Sequence, residues 1–142
     1  MYRVVVASIA ILVGSASTSS AQDSASSVRL PQVAGVWDYR AVVGARSGVL
    51  VSSVLTATAS KEGWTIQHAN DPAIPLRVVA IAADSIVLEA GPYPSTLRPG
   101  QTVERNHIVL YYDGGDTMKG AFEARYASGD VVSGRVDAVR RH

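Results

Sequence analysis

The side chains able to do chemistry are few and widely spaced. Three histidines, His68, His107 and His142, share no metal-ligand spacing, and His142 is the last residue. Glu89 and Glu104 are the right types for an acid/base pair across neighbouring strands, but the apolar alternation turns Glu89 outward and Glu104 inward, so they do not meet. His68 with Glu104 is then the one pair on which a small hydrolase or isomerase could rest. No Gly-x-Ser-x-Gly elbow occurs, and no glycine-rich loop follows a strand and opens a helix to hold phosphate. Cysteine is absent, which excludes disulfides and thiolate chemistry. The sequence therefore names no catalytic residue, metal or cofactor and points away from an enzyme.

What remains is binding, and it depends on the elements that carry these residues. A chain of 142 residues suits one domain. Arg3, the apolar run 4–13 and the small residues Ser19-Ser20-Ala21 have the order of a secretory signal over residues 1–21, cut near Ala21. The run is too short to cross a membrane, which takes about 20 apolar residues. Export to the periplasm or beyond follows, with no membrane span in the mature chain. Without Arg3, 12 basic residues face 12 acidic ones, and Lys61 and Lys119 are the only lysines, so nothing marks nucleic acid as a partner.

Residues 22–33, serine- and alanine-rich at first, read as a flexible leader, and residues 34–142 as the folded domain. From Gly35 the apolar period becomes two, the period of a strand with one face inward. Trp37, Tyr39, Ala41 and Val43 form the first inner face. Val51, Leu55, Ala57 and Ala59 form the second, and Trp64, Ile66 and His68 the third. Residues 70–75, with two prolines, break the pattern. Two apolar strands follow over 76–82 and 85–90, with Leu76, Val78, Ala80, Ile86, Leu88 and Ala90 inward. Val79, Ile81 and Val87 make the outer face apolar as well, which suits cover by the leader or by a partner.

The longest loop, 91–101, holds three prolines around Tyr93. The strand over 102–112 has two registers, and the weight of Ile108, Leu110 and Tyr112 places Glu104 and Asn106 inward with Arg105 and His107 outward. Asp113-Gly114-Gly115-Asp116 is a strong hairpin signal. Met118, Gly120, Phe122, Ala124 and Tyr126, then Val132, Gly134, Val136 and Ala138, give the last two inner sets.

Eight antiparallel strands with no helix between them predict an all-β, up-and-down meander barrel, a shape that removes unpaired edges and is just wide enough for packed side chains or one small ligand. Alternate connections of a meander share an end, so loops 70–75 and 91–101 crowd one mouth. The predicted binding residues there are His68, Asp71, Tyr93, Arg98, Glu104 and Tyr126, above an apolar interior of Trp64, Leu88, Leu110 and Phe122.

Gly35-Val36-Trp37, at the start of the first strand, resembles the Gly-x-Trp that opens lipocalin and wider calycin barrels. The resemblance covers this motif and the strand count; the family's Thr-Asp-x-Tyr, its cysteines and its C-terminal helix have no counterpart. It implies that Trp37 closes the base of the barrel under an arginine from near the last strand, for which Arg135 and Arg140 are the candidates. Together these observations predict a lipocalin-like barrel binding a small apolar or amphipathic molecule at its mouth. The alternative is a structural module of the cell envelope, filled by its own side chains, that docks a partner protein through Val79, Ile81 and Val87.

Overall fold

Because β-branched and aromatic residues alternate with polar ones from Gly35 onward, the chain builds strands with one buried face. The computed structural model describes residues 27–44 and 48–142. The strands are β1 (Gly35–Val43), β2 (Val49–Ala57), β3 (Trp64–Gln67), β4 (Ile74–Ile81), β5 (Ser85–Ala90), β6 (Tyr93–Pro94), β7 (Thr102–Tyr112), β8 (Thr117–Tyr126) and β9 (Val131–Arg140). β9 returns to pair with β1 and β5 pairs with β7, so eight strands close into an antiparallel up-and-down barrel. The two-residue β6 is additional and lies against the start of β7. The expected signal segment and the first part of the leader lie outside the described residues, as do residues 45–47 of the first turn.

The inner faces follow the expected alternation in β1, β5, β8 and β9. β2 ends at Ala57, so Ala59 lies exposed on the following turn and not on the inner face. Pro75 joins β4 opposite Thr65, close to the strand's start, where a missing N–H is tolerated.

Two bulges overturn the alternation elsewhere. Val78 pairs with Leu88 but Ala80 pairs with Val87, leaving Val79 as an extra residue. The phase then reverses: Ala80, expected inside, is exposed, and Ile81, expected outside, packs against the core. In β7, Val103 stands opposite Tyr126 and Arg105 opposite Arg125, leaving Glu104 over. Val103 is therefore buried and Glu104 exposed, which corrects the inward placement of Glu104. Past the bulge Asn106, Ile108 and Leu110 face inward as expected, with His107 outward beside Glu89 at 3.1 Å.

Two inward glycines are required by close approach. A methyl at Gly120 would stand 1.7 Å from the Val109 carbonyl oxygen, and one at Gly134 would stand 1.9 Å from that of Val42. Only glycine lets the wall bend this tightly, and the Phe122 ring occupies the space beside Gly134.

The end with connections 58–63, 82–84 and 113–116 is closed by the end of the expected leader, which is packed there and not free. A single turn, α1 (Leu30–Val33), forms after Arg29, whose N–H donates to Gln32 Oε1 at 3.2 Å. Leu30 and Val33 are buried, and the Val28 N–H donates to the Ala83 carbonyl at 3.1 Å. Trp37 sits above this plug and donates through Nε1 to the Val33 carbonyl at 2.9 Å. Of the two arginine candidates it is Arg140 that covers the indole, 4.3 Å from the ring centre, while Arg135 is exposed on the outer wall. Among the described residues no helix is long and apolar enough to cross a membrane.

Candidate functional site

At the opposite end the wall parts. β4 begins three residues before β5 reaches it, so Ile74, Pro75 and Leu76 pair with β3 alone. On the other side β5 stops at Ala90, and the chain crosses to lay Tyr93 and Pro94 against Val103 and Thr102. Gly91 permits that crossing: a methyl on it would stand 2.3 Å from the Glu104 carbonyl oxygen. Between the diverging segments opens a cleft of about 600 Å³, lined by Asp71, Ile74, Arg77 and Tyr93 among others. Four of the six prolines of the chain, Pro72, Pro75, Pro92 and Pro94, line it. Proline has no N–H to leave unpaired, so the two open edges are poor templates for another strand.

Beneath the cleft, inside the barrel, lies a cavity of about 50 Å³. Tyr93 and Ser95 line both spaces. Ala41, Val51, Ile66 and Phe122 make part of its lining apolar, and polar groups reach it from several strands, with Tyr39 on β1, His68 after β3, Asn106 on β7 and Tyr126 on β8. Asn106 donates through Nδ2 to the Tyr93 hydroxyl at 3.1 Å, while its Oδ1 is buried with no partner. The Tyr39 hydroxyl makes no hydrogen bond among the described residues. His68 is hydrogen-bonded through Nδ1 to Ser53 Oγ, which fixes the ring. Ser53 does not line the cavity, so this pair orients His68 and exposes no nucleophile to the space.

The setting keeps these groups uncharged. Burial pushes the Tyr39 phenol far above its ordinary range, and the neighbouring Tyr93 adds to the effect. Burial raises Tyr93 too, against the hydrogen bond from Asn106. His68 is lowered by burial, against the pull of Asp71. A neutral imidazole and two neutral phenols therefore face the cavity at neutral pH.

The lid over the cavity is the segment after β6. The Ser95 and Tyr126 hydroxyls are hydrogen-bonded at 2.9 Å, and the Arg98 N–H donates to Ser95 Oγ at 3.0 Å. The Arg98 side chain lies 4.7 Å over the Tyr126 ring and pairs with Asp130 at 3.0 Å.

Of the six predicted mouth residues, His68, Tyr93 and Tyr126 share the cavity. Asp71 stands on the outer cleft, Arg98 holds the lid from outside, and Glu104 lies outside the barrel, which removes the pair with His68. Of the expected apolar interior, Phe122 lines the cavity, while Trp64, Leu88 and Leu110 are buried in solid core. Tyr39, Ser53, Ser95 and Asn106 belong to the site without having been singled out. The signal was present for Tyr39 and Ser53, which occupy inner positions of β1 and β2 and face one another across the ladder. No three His, Asp or Glu side chains among the described residues stand close enough to hold a metal ion. In comparisons with known proteins, no family model, no curated protein and no solved structure matches this chain.

Proposed function

We propose that this chain is an exported, lipocalin-like barrel that binds a small amphipathic molecule at its mouth without transforming it. The observation that carries this reading is the junction at Tyr93 and Ser95, where an apolar, proline-lined cleft meets a cavity holding polar groups without partners. The likeness to the lipocalin shape is supported by the closed eight-stranded meander and by Arg140 over the Trp of Gly35-Val36-Trp37. The volumes decide how a ligand would lie. Sites for drug-sized ligands measure about 300 Å³ or more, so the cavity of about 50 Å³ admits a head group while the cleft of about 600 Å³ holds the rest.

Native mass spectrometry of the protein purified from its own envelope or medium, with displacement of a lipophilic fluorescent probe, tests the reading. The expected result is a co-purified small mass that competes with the probe. A protein that is empty and takes up no probe overturns it.

A second reading, an envelope module that docks a partner protein, is favoured by the solid lower half of the barrel, where Trp64, Ile86, Leu88, Ile108 and Leu110 are all buried. With Ile81 turned inward, its contact surface reduces to Val79, 46% exposed, and the half-buried Val87. Charged residues at both positions should then abolish a pull-down partner, and an unchanged pull-down removes the reading.

A further inference from the structure

We propose, resting on the mouth-binding reading, that the inner cavity selects an uncharged head group that both donates and accepts hydrogen bonds, a carboxamide or an alcohol, over a carboxylate or an ammonium.

The first support is what faces the cavity. Among the described residues its wall carries no Asp, Glu, Lys or Arg. An ionised head would leave water without meeting an opposite charge, which is strongly unfavourable. Among the described residues of the lid the cation is Arg98, and its guanidinium is held by Asp130 and the Tyr126 ring and does not line the cavity. Asp71 lines the outer cleft and not the cavity.

The second support is the hydrogen-bonding inventory. Asn106 Oδ1 is an acceptor with nothing donating to it, so it calls for an N–H or O–H from the occupant. The Tyr93 hydroxyl accepts from Asn106 Nδ2 and keeps its own proton to give. The Tyr39 hydroxyl is uncommitted and can give or take. A ketone or ether would satisfy the tyrosines and leave Asn106 unmet. A primary carboxamide or a hydroxyl satisfies both sides.

The third support is size. A space of about 50 Å³ holds roughly three or four water molecules, which is the volume of a carboxamide or a hydroxymethyl group and too little for a sugar or a phosphate ester. The tail would pass Tyr93 into the cleft between Ile74 and Pro94.

Four probes with one tail separate the possibilities: octanamide, octanol, octanoate and octylammonium, titrated calorimetrically at pH 7.5, with the Asn106 side-chain amide followed by ¹⁵N NMR. Octanamide and octanol should bind at least about tenfold tighter than the two ions and should move the Asn106 signals. Asn106→Leu should bring the four affinities together while keeping the tail bound. Tyr39→Phe, which keeps the ring and removes the hydroxyl, should weaken octanamide and octanol selectively if the first variant does not fold. Equal affinities, a preference for an ion, or still Asn106 signals overturn the head-group inference and leave the cleft as the site of the tail, with water alone in the cavity. Failure of all four probes to bind overturns the mouth reading itself.

Discussion

The Arg140 guanidinium lies 4.3 Å from the centre of the Trp37 ring and donates to the carbonyls of Gln32 at 2.6 Å and Ala34 at 2.8 Å. One side chain from the last strand thus ties the first strand to the helical turn that plugs the barrel. A planar fork can stack and donate in two directions at once, which an ammonium cannot. Arg140→Lys should therefore cost about 1–3 kcal/mol of stability, measured by urea unfolding. It should also speed proteolysis within residues 28–34, and an unchanged midpoint would show that the plug is held without the Arg140 fork.

Ser95 is the hinge pin of the lid. Its hydroxyl meets that of Tyr126, which is buried, and accepts from the Arg98 N–H. Ser95→Ala leaves the buried phenol without its partner and should destabilise by about 1–3 kcal/mol. Amide hydrogen exchange at residues 95–98 should accelerate in that variant. Arg98→Ala should cost less, under about 1 kcal/mol, because its ion pair with Asp130 is exposed to solvent.

The period of two made most of the barrel legible. It could not see Val79 or Glu104, since a bulge adds one residue with no composition of its own. The clue lay in spacing: Val103 and Ile108 are both buried yet five apart, and Val78 and Ile81 are both inward yet three apart, which unbroken alternation forbids. The bulge at Glu104 is what removes the carboxylate expected beside His68. The helical turn escaped notice because four residues are too few for a helical period to register, although Leu30 and Val33 have its spacing. The parting of the wall beside β6 follows from where β4 and β5 run out of partners, a relationship between distant segments that local pattern does not contain.

Gly120 and Gly134 test whether the bends that shape the barrel are needed. A methyl at either would overlap a carbonyl oxygen of the neighbouring strand, and backbone has less room to yield than the end of a flexible side chain. Gly120→Ala and Gly134→Ala should each cost about 2–3 kcal/mol or more. Gly115→Ala, where the nearest atom is Asp113 Oδ1 at 3.4 Å, is the control and should cost well under that. Equal small losses in all three, by thermal or urea unfolding, would mean that the ladders shift freely to make room.

The last prediction concerns acid. Burial holds His68 below its ordinary 6.5, so the folded protein takes up this proton less readily than the unfolded chain does. The contribution to stability is therefore complete above about pH 6.5 and is lost as the pH falls from there through the lower folded value. His68→Gln removes the group, so below about pH 6.5 the wild type should lose stability relative to the variant. Urea midpoints of both proteins from pH 8 to pH 5 would read this, and parallel curves would mean that the ring takes its proton as easily in the fold as outside it. Asp71 pulls the other way, favouring the proton. Asp71→Asn should therefore drop the folded value further and extend the acid loss to lower pH, whereas an unchanged window would place the Asp71 charge out of reach of the imidazole.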